Sequence, residues 1–337
     1  MKAAVFQGIG QIEIVELPVP EPEPGEVVIK VHYCGICGSD LGAYETGTYG
    51  AGLIIGHEFA GEIVKTGERV YGLGLGDLVT VNSIVPCGMC YFCGHGMSGQ
   101  CEDVIQPGVS HHGGMAEYAK VPAPATYRLP AGVTTRQAAL AEPLGGALHA
   151  VRLSALKPGD RVLVMGAGPI GLLTLQCARL AGAREVYVTE VSPTRAELAA
   201  RLGATAVFNP EKDNLFVALD EPTEGLGPDV VFVCAGVPAV IEDAITLVRK
   251  GGQIMVVGIA EEPVTTDFMT VVLNEIDIKG SYSGYEEVPL ALDFIAQGRV
   301  DVESLISHEI ALEDVVEQGF EMLTHPPHDA VKILVKM

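Results

Sequence analysis

Apolar and polar residues alternate along the first part of the chain with the period of β-strands. From Glu26 the run EVVIKVHY changes sides residue by residue, and GEIVK and DLVTVNS repeat the pattern between glycine-rich turns. The pattern changes after Pro158. RVLVM is a short continuous apolar run, followed by the tight glycine text GAGPIG and then by LLTLQCARLAGA, whose apolar residues recur at helical spacing. The same alternation continues through EVYVTE, a helix around PTRAELAARLGA, TAVF, DVVFVCAG, a helix near AVIEDAITLVRKGG, QIMVVGI and IDIKGSYSG. Six strands with helices between them predict a parallel, doubly wound sheet. Two further helices are expected near EEVPLALDFIAQGR and LEDVVEQGFEMLTH, before a last strand, AVKILVK.

These elements divide the chain into a mostly β domain over 1–150, a nucleotide-binding α/β domain over 151–285, and a segment 286–337 that returns to the first domain. The division agrees with size. With 337 residues, 48% of them apolar, a sizeable core is available, and roughly 100 to 200 residues per domain gives about two domains. The 43 acidic residues outnumber the 21 basic ones, for a formal charge of −22, so a nucleic-acid binder that neutralises phosphates is disfavoured and no nucleic-acid partner is expected. No apolar stretch reaches the ~18 to 20 residues that cross a bilayer. Met1 runs straight into KAAVFQ without the basic, apolar and small-residue succession of a secretory leader, so a cytoplasmic enzyme is the default expectation.

Gly166, Gly168 and Gly171 form GxGxxG between a predicted strand and helix, with Pro169 and Ile170 opening the helix. Glycines there permit a tight turn and let backbone N–H groups approach a pyrophosphate at the positive end of the helix. Alone the motif is weak, because close helix packing also asks for glycine. Glu190 strengthens it: this residue closes the next strand 19 residues after Gly171, where a carboxylate accepts hydrogen bonds from a ribose diol and repels a 2′-phosphate. NAD is therefore favoured over NADP. Arg195 qualifies the choice, since it can lie over the ribose edge, offer charge to a phosphate, or stand as a solvated helix residue.

Cys87, Cys90, Cys93 and Cys101 follow CxxCxxCx(7)C, a spacing that lets four thiolates converge on one zinc from a single loop spanning 87–101. Four thiolates saturate the ion, so its expected role is structural. An iron-sulfur cluster is the competing metal, and disulfides are disfavoured in a reduced compartment. A second, dispersed set comprises Cys37 in CGICGSD, His57 and Glu58 in GHEFAGE, and Glu142 in AEPLGGALHA. A thiolate, an imidazole and a carboxylate suffice for a catalytic zinc with an open position. Spacing alone leaves this set evenly balanced against a buried cysteine, a core histidine and exposed acids.

Taken together, CGICGSD, GHEFAGE, CGMCYFC, AEPLGGALHA and GAGPIG resemble the medium-chain, zinc-dependent alcohol dehydrogenase family, closest to its polyol and 2,3-butanediol dehydrogenase branch, over nearly the whole chain. The resemblance implies a GroES-like catalytic domain, a Rossmann domain with NAD(H), an active site in the cleft between them, and one catalytic and one structural zinc. Cys37 and His57 match ligands found throughout the family, while Glu58 and Glu142 match acids that bind zinc directly or through water in polyol-type members. Ser39 matches the proton-relay hydroxyl, and Asp40 matches the acid that orients the ligating histidine. Gly42 departs from the pattern, because many relatives carry there a histidine that takes the proton outward. His32, His111, His112 and His149 are expected in structural or surface roles, and Cys34, Cys177 and Cys234 in packing. The expected reaction is reversible hydride transfer between NAD(H) and a secondary alcohol or ketone, with a diol, polyol or sugar derivative favoured. A threonine-type amino-alcohol dehydrogenase and a non-catalytic nucleotide- and zinc-binding protein are the alternatives, and a zinc-free quinone reductase is disfavoured by the two metal clusters. Pairing of the last Rossmann strand between subunits implies a homodimer or homotetramer.

Overall fold

The computed structural model describes residues 1–260, 262–325 and 329–337. Two compact units emerge, one of Met1–Gly145 with Gly284–Met337 and the other of Gly146–Ser283.

The first unit is built on a seven-stranded sheet in the order Ile306–Ala311, Lys332–Lys336, Glu26–Gly35, Glu58–Thr66, Leu78–Val81, Thr126–Arg128, with Tyr118–Pro122 also paired to Glu26–Gly35. A smaller sheet joins Gln11–Glu16, Lys2–Gly8 and Leu53–Ile54. Val27, Ile29 and Val31 turn inward from the central strand onto Phe59, Ile63, Val79, Val81, Ile333 and Val335, and this buried apolar set is what holds the sheet in register. The tail supplies two strands of this sheet, and the polar run ISHEIA forms one of them, an element its composition does not announce. Near LEDVVEQGFEMLTH a single helix is expected. The chain instead winds as a 3₁₀ turn over Leu312–Asp314, a π turn over Val315–Phe320 and a short α segment over Glu321–Thr324. Gly319 lies in the π turn, and a Cβ there would come within 2.7 Å of the Ile36 side chain, so close packing against the sheet accompanies the irregular winding.

The second unit is a six-stranded, all-parallel sheet in the order Ala206–Phe208, Glu185–Thr189, Arg161–Met165, Val230–Val233, Gln253–Val256, Asp277–Gly280. Numbered along the chain this is 3-2-1-4-5-6, the Rossmann order. Val162–Met165 and Val230–Val233 are entirely buried, which is why they read as unbroken apolar runs. Strand order reverses at Arg161–Met165, so the carboxyl end of that strand is the topological switch point where such sheets bind ligands. Among the described residues, no helix is long and apolar enough to cross a membrane.

Candidate active site and metal centres

The glycine turn sits at that switch point. Gly166, just after the strand, has φ +97°, a left-handed conformation that favours glycine. Helix Pro169–Leu180 follows, with Gly168 as its N-cap and Pro169 at its first position. A Cβ on Gly171 would overlap the Gly166 carbonyl oxygen, whereas one on Gly168 would meet no protein atom within 4 Å. The first contact closes the turn, and the second leaves room for a ligand to approach the backbone. Ile170 and Pro169 are half-buried on the first turn. Glu190 is buried, and its carboxylate accepts N–H groups from Ala167 at 2.7 Å, Val191 at 2.9 Å and Ser192 at 2.8 Å. Arg195 lies in helix Pro193–Arg201, its backbone N–H donated to the Ser192 N-cap hydroxyl at 3.4 Å.

In the cysteine loop, the sulfurs of Cys87, Cys90, Cys93 and Cys101 lie within 4.8 Å of one another, with Cys90 3.5 Å from Cys93 and 3.9 Å from Cys101. Four sulfurs at ~2.3 Å around a tetrahedral zinc stand about 3.8 Å apart. The loop has almost no core of its own: Cys101 is the one buried residue between 87 and 101. Backbone N–H groups of Cys93 and Glu102 lower the Cys90 pKa, while burial and the adjacent Cys90 sulfur raise that of Cys93, so crowding the sulfurs opposes ionising the pair together unless a cation joins them. Tyr91 stacks on His95 at 4.1 Å on the outside of the loop.

The second set also converges. Cys37 follows the central strand and caps helix Gly38–Thr46, while His57 precedes strand Glu58–Thr66 and Glu58 begins it. Because Gly35 pairs with Glu58 across the ladder, the two ends meet, and one donor atom from each of Cys37, His57 and Glu58 lies within 4.8 Å of the others. His57 and Glu58 are 5% and 1% exposed, too buried for ordinary solvated polar residues. Asp40 Oδ2 accepts the Cys37 N–H at 3.1 Å, and Asp40 Oδ1 stands 3.5 Å from His57 Nδ1. A carboxylate there orients a metal-binding imidazole. Burial pushes the His57 pKa down, but the negative charges of Asp40 and Cys37 carry it well above its ordinary value, so the site favours a positive charge. His57 Nδ1 is buried facing Asp40 without an aligned hydrogen bond. A soft thiolate, an imidazole and a carboxylate are together a zinc donor set.

Ser39 is exposed and donates to Cys37 Sγ at 3.4 Å. Glu142, in the first turn of helix Ala141–Leu153, stands outside the close triplet and accepts the Ser83 hydroxyl at 2.5 Å. Burial raises its pKa, His57 opposes the shift and Glu58 adds to it, so Glu142 is within electrostatic reach of the cluster. Of the other candidates, His32 meets the Thr135 hydroxyl at 3.2 Å, His111 meets the Ser110 hydroxyl at 3.0 Å, and His112 Nδ1 accepts the Ile54 N–H at 3.1 Å. Cys34 is buried.

Three neighbours have no counterpart among the residues singled out from sequence. Lys332 is buried and pairs with Glu58. Tyr49 donates to Asp40 Oδ1 at 3.4 Å, and Ser83 holds Glu142. Of the three, Lys332 alone interrupts an otherwise apolar run, AVKILVK, and that does not by itself show which way it points.

Comparison with known proteins bears on the whole chain. Residues 23–131 match the alcohol dehydrogenase GroES-like domain, and residues 169–297 match the zinc-binding dehydrogenase domain. The sorbitol dehydrogenase of Bacillus subtilis is 34% identical over 99% of this chain and 97% of its own length. The (R,R)-butanediol dehydrogenase of the same organism is 36% identical over 100% of this chain and 99% of its own. A Sinorhizobium meliloti chain solved with NADP is 32% identical, with a TM-score of 0.93 over 100% of this chain and 99% of that one. Full-length similarity of this kind, joined to both domain matches and the two cysteine-bearing clusters, makes the chain a member of the medium-chain, zinc-dependent alcohol dehydrogenase family, in its polyol and butanediol dehydrogenase branch.

Proposed function

We propose that the protein oxidises a secondary alcohol of a diol, polyol or sugar derivative reversibly with NAD, using a catalytic zinc held by Cys37, His57 and Glu58 and a structural zinc held by Cys87, Cys90, Cys93 and Cys101. The observation that carries the reading is the convergence of Cys37, His57 and Glu58 at a buried, charge-seeking point. Relatives named for sorbitol and butanediol support the substrate class. NAD over NADP is supported by the buried Glu190 carboxylate beside the glycine turn, although one relative was solved with NADP.

When bound, zinc supplies the Lewis acidity that lets an alcohol lose its proton near neutral pH, and the nicotinamide ring supplies the hydride acceptor. The chain's own groups do the rest. Asp40 orients His57 and steadies the Cys37 backbone. Ser39 Oγ takes the hydroxyl proton and hands it on. Glu142, kept near by Ser83, is the acid that acts on the site through water. The N-terminus of helix Pro169–Leu180 receives the pyrophosphate, and Arg195 flanks the adenosine ribose.

A homo-oligomer is also proposed. Strand Asp277–Gly280 is an exposed sheet edge, and helix Phe268–Leu273 beside it exposes Phe268, Met269, Val272 and Leu273 by 67% to 74%, which suits edge pairing with a second copy. None of the eight cysteines is joined in a disulfide, which leaves Cys37, Cys87, Cys90, Cys93 and Cys101 available as metal ligands.

A substrate panel followed by NADH absorbance in both directions tests the assignment. Turnover of vicinal diols or polyols above L-threonine is expected. Preference for L-threonine replaces the substrate class, and ligand binding without turnover of any alcohol or ketone contradicts an enzymatic role.

A further inference from the structure

Lys332 is the one lysine or arginine that is buried among the described residues, 2% exposed at the start of the last strand. Burying an ammonium is costly unless it is paired and hydrogen-bonded. Its Nζ donates to the Ile36 carbonyl at 2.8 Å and forms an ion pair with Glu58 Oε2, which has no aligned hydrogen bond of its own. Glu58 is also the carboxylate of the proposed zinc triplet. One carboxylate thus faces two cations.

The geometry of the sheet fixes this sharing. Gly35 on the central strand pairs with Glu58 on one side and with Leu334 on the other, so Lys332 comes in from the neighbouring strand toward the same carboxylate. A Cβ on Gly35 would overlap Glu58 Oε2 and come within 3.0 Å of Lys332 Cε. Three adjacent strands therefore shape a slot for a lysine and a carboxylate in contact. The charges agree in sign with the arrangement, since the thiolate of Cys37 and the carboxylates of Glu58 and Asp40, with Glu142 nearby, supply the negative charge that a divalent ion and an ammonium call for.

We propose that Lys332 is a positioning residue for the catalytic metal: its ammonium competes with zinc for the Glu58 carboxylate and keeps Glu58 an exchangeable ligand instead of a permanent one. This rests on the assignment of Cys37, His57 and Glu58 as a zinc site. In that role Lys332 acts on the metal through Glu58, the side chain it pairs with. Exchange of Glu58 lets the ion keep an open position while its ligand charge is adjusted.

The experiment uses the full-length protein with cobalt(II) in place of zinc. The absorption difference between wild type and Cys37→Ser isolates the bands of the catalytic ion from those of the cysteine loop, and absence of any thiolate-to-cobalt band in that difference overturns the underlying site assignment whatever Lys332 does. Lys332→Gln keeps a donor for the Ile36 carbonyl and removes the charge. Its d–d bands should weaken as Glu58 adds to the coordination, and release of the catalytic ion to a chelator should slow on the order of tenfold. Lys332→Arg should retain the wild-type spectrum and release rate. Wild-type behaviour of Lys332→Gln overturns the proposal while leaving the metal site intact. If Lys332→Gln does not fold, Glu58→Gln/Lys332→Gln, which strands no charge, carries the test. Its release rate should equal that of Glu58→Gln alone, and a further change shows that Lys332 acts by another route.

Discussion

The carboxylate of Glu190 accepts the backbone N–H of Ala167 at 2.7 Å, tying the residue after the second Rossmann strand to the glycine turn after the first. Two more N–H groups, from Val191 and Ser192, hold the same carboxylate. The carboxylate is therefore fixed in place, and in the proposed function its charge repels a 2′-phosphate. Glu190→Ser should lower the ratio of kcat/KM for NAD to that for NADP by about tenfold, and the loss of a buried acceptor should cost about 1 to 3 kcal/mol of stability. Kinetics with both cofactors checks it. An unchanged ratio would mean that discrimination lies elsewhere, with Arg195 the next residue to vary.

Gly168 and Gly171 make a paired prediction, because the space around them differs. At Gly171 a methyl group collides with backbone, so Gly171→Ala should destabilise the fold by roughly 1 to 3 kcal/mol and weaken cofactor binding together. At Gly168 the protein leaves space, so Gly168→Ala should weaken cofactor binding with little effect on unfolding. Denaturant titrations alongside NADH fluorescence titrations separate the two. Equal losses of stability would contradict the view that Gly168 faces a ligand.

The cysteine loop has almost no apolar core to fall back on, and in the proposed function a metal supplies its order. Cys93→Ser should lose one zinc per chain, become sensitive to proteolysis within 87–101 and melt at a lower temperature. Zinc at Cys37 should remain. Metal analysis and limited digestion read the outcome, and an undiminished zinc content would refute the structural site.

Leu273 is 74% exposed beside the open sheet edge. A charge placed there is harmless to a monomer and costly in an apolar subunit contact. If the proposed oligomer forms through this edge, Leu273→Asp should convert it to monomers in light scattering, with little change in far-ultraviolet circular dichroism. An oligomer that survives the substitution would place the contact on another face.

Local features were the most legible in the sequence. The glycine turn needs three glycines within six residues and the cysteine loop four thiols within fifteen, so each is specified by contiguous text. The catalytic cluster was harder to see. Cys37 and His57 meet only because Gly35 and Glu58 are ladder partners, and that register is decided by packing of whole strands. Lys332 contacts Ile36 across 296 residues, and no periodicity shows that a lysine in AVKILVK points inward to a buried acid. The strand ISHEIA was hidden for a related reason: its polar residues satisfy a sheet edge position without the apolar alternation that marks a core strand. The irregular winding of Val315–Phe320 likewise answers to contact with Ile36 and not to its own helical pattern.

The central claim is that Cys37, His57 and Glu58 hold a metal on which turnover depends. Zinc content measured beside activity, for wild type and Cys37→Ser, tests it most directly. The account predicts two zinc ions per chain in the active wild type, and one in a folded variant that still binds NAD but does not turn over. A Cys37→Ser protein that keeps its activity, or a wild type that is fully active with the cysteine-loop zinc alone, would contradict it.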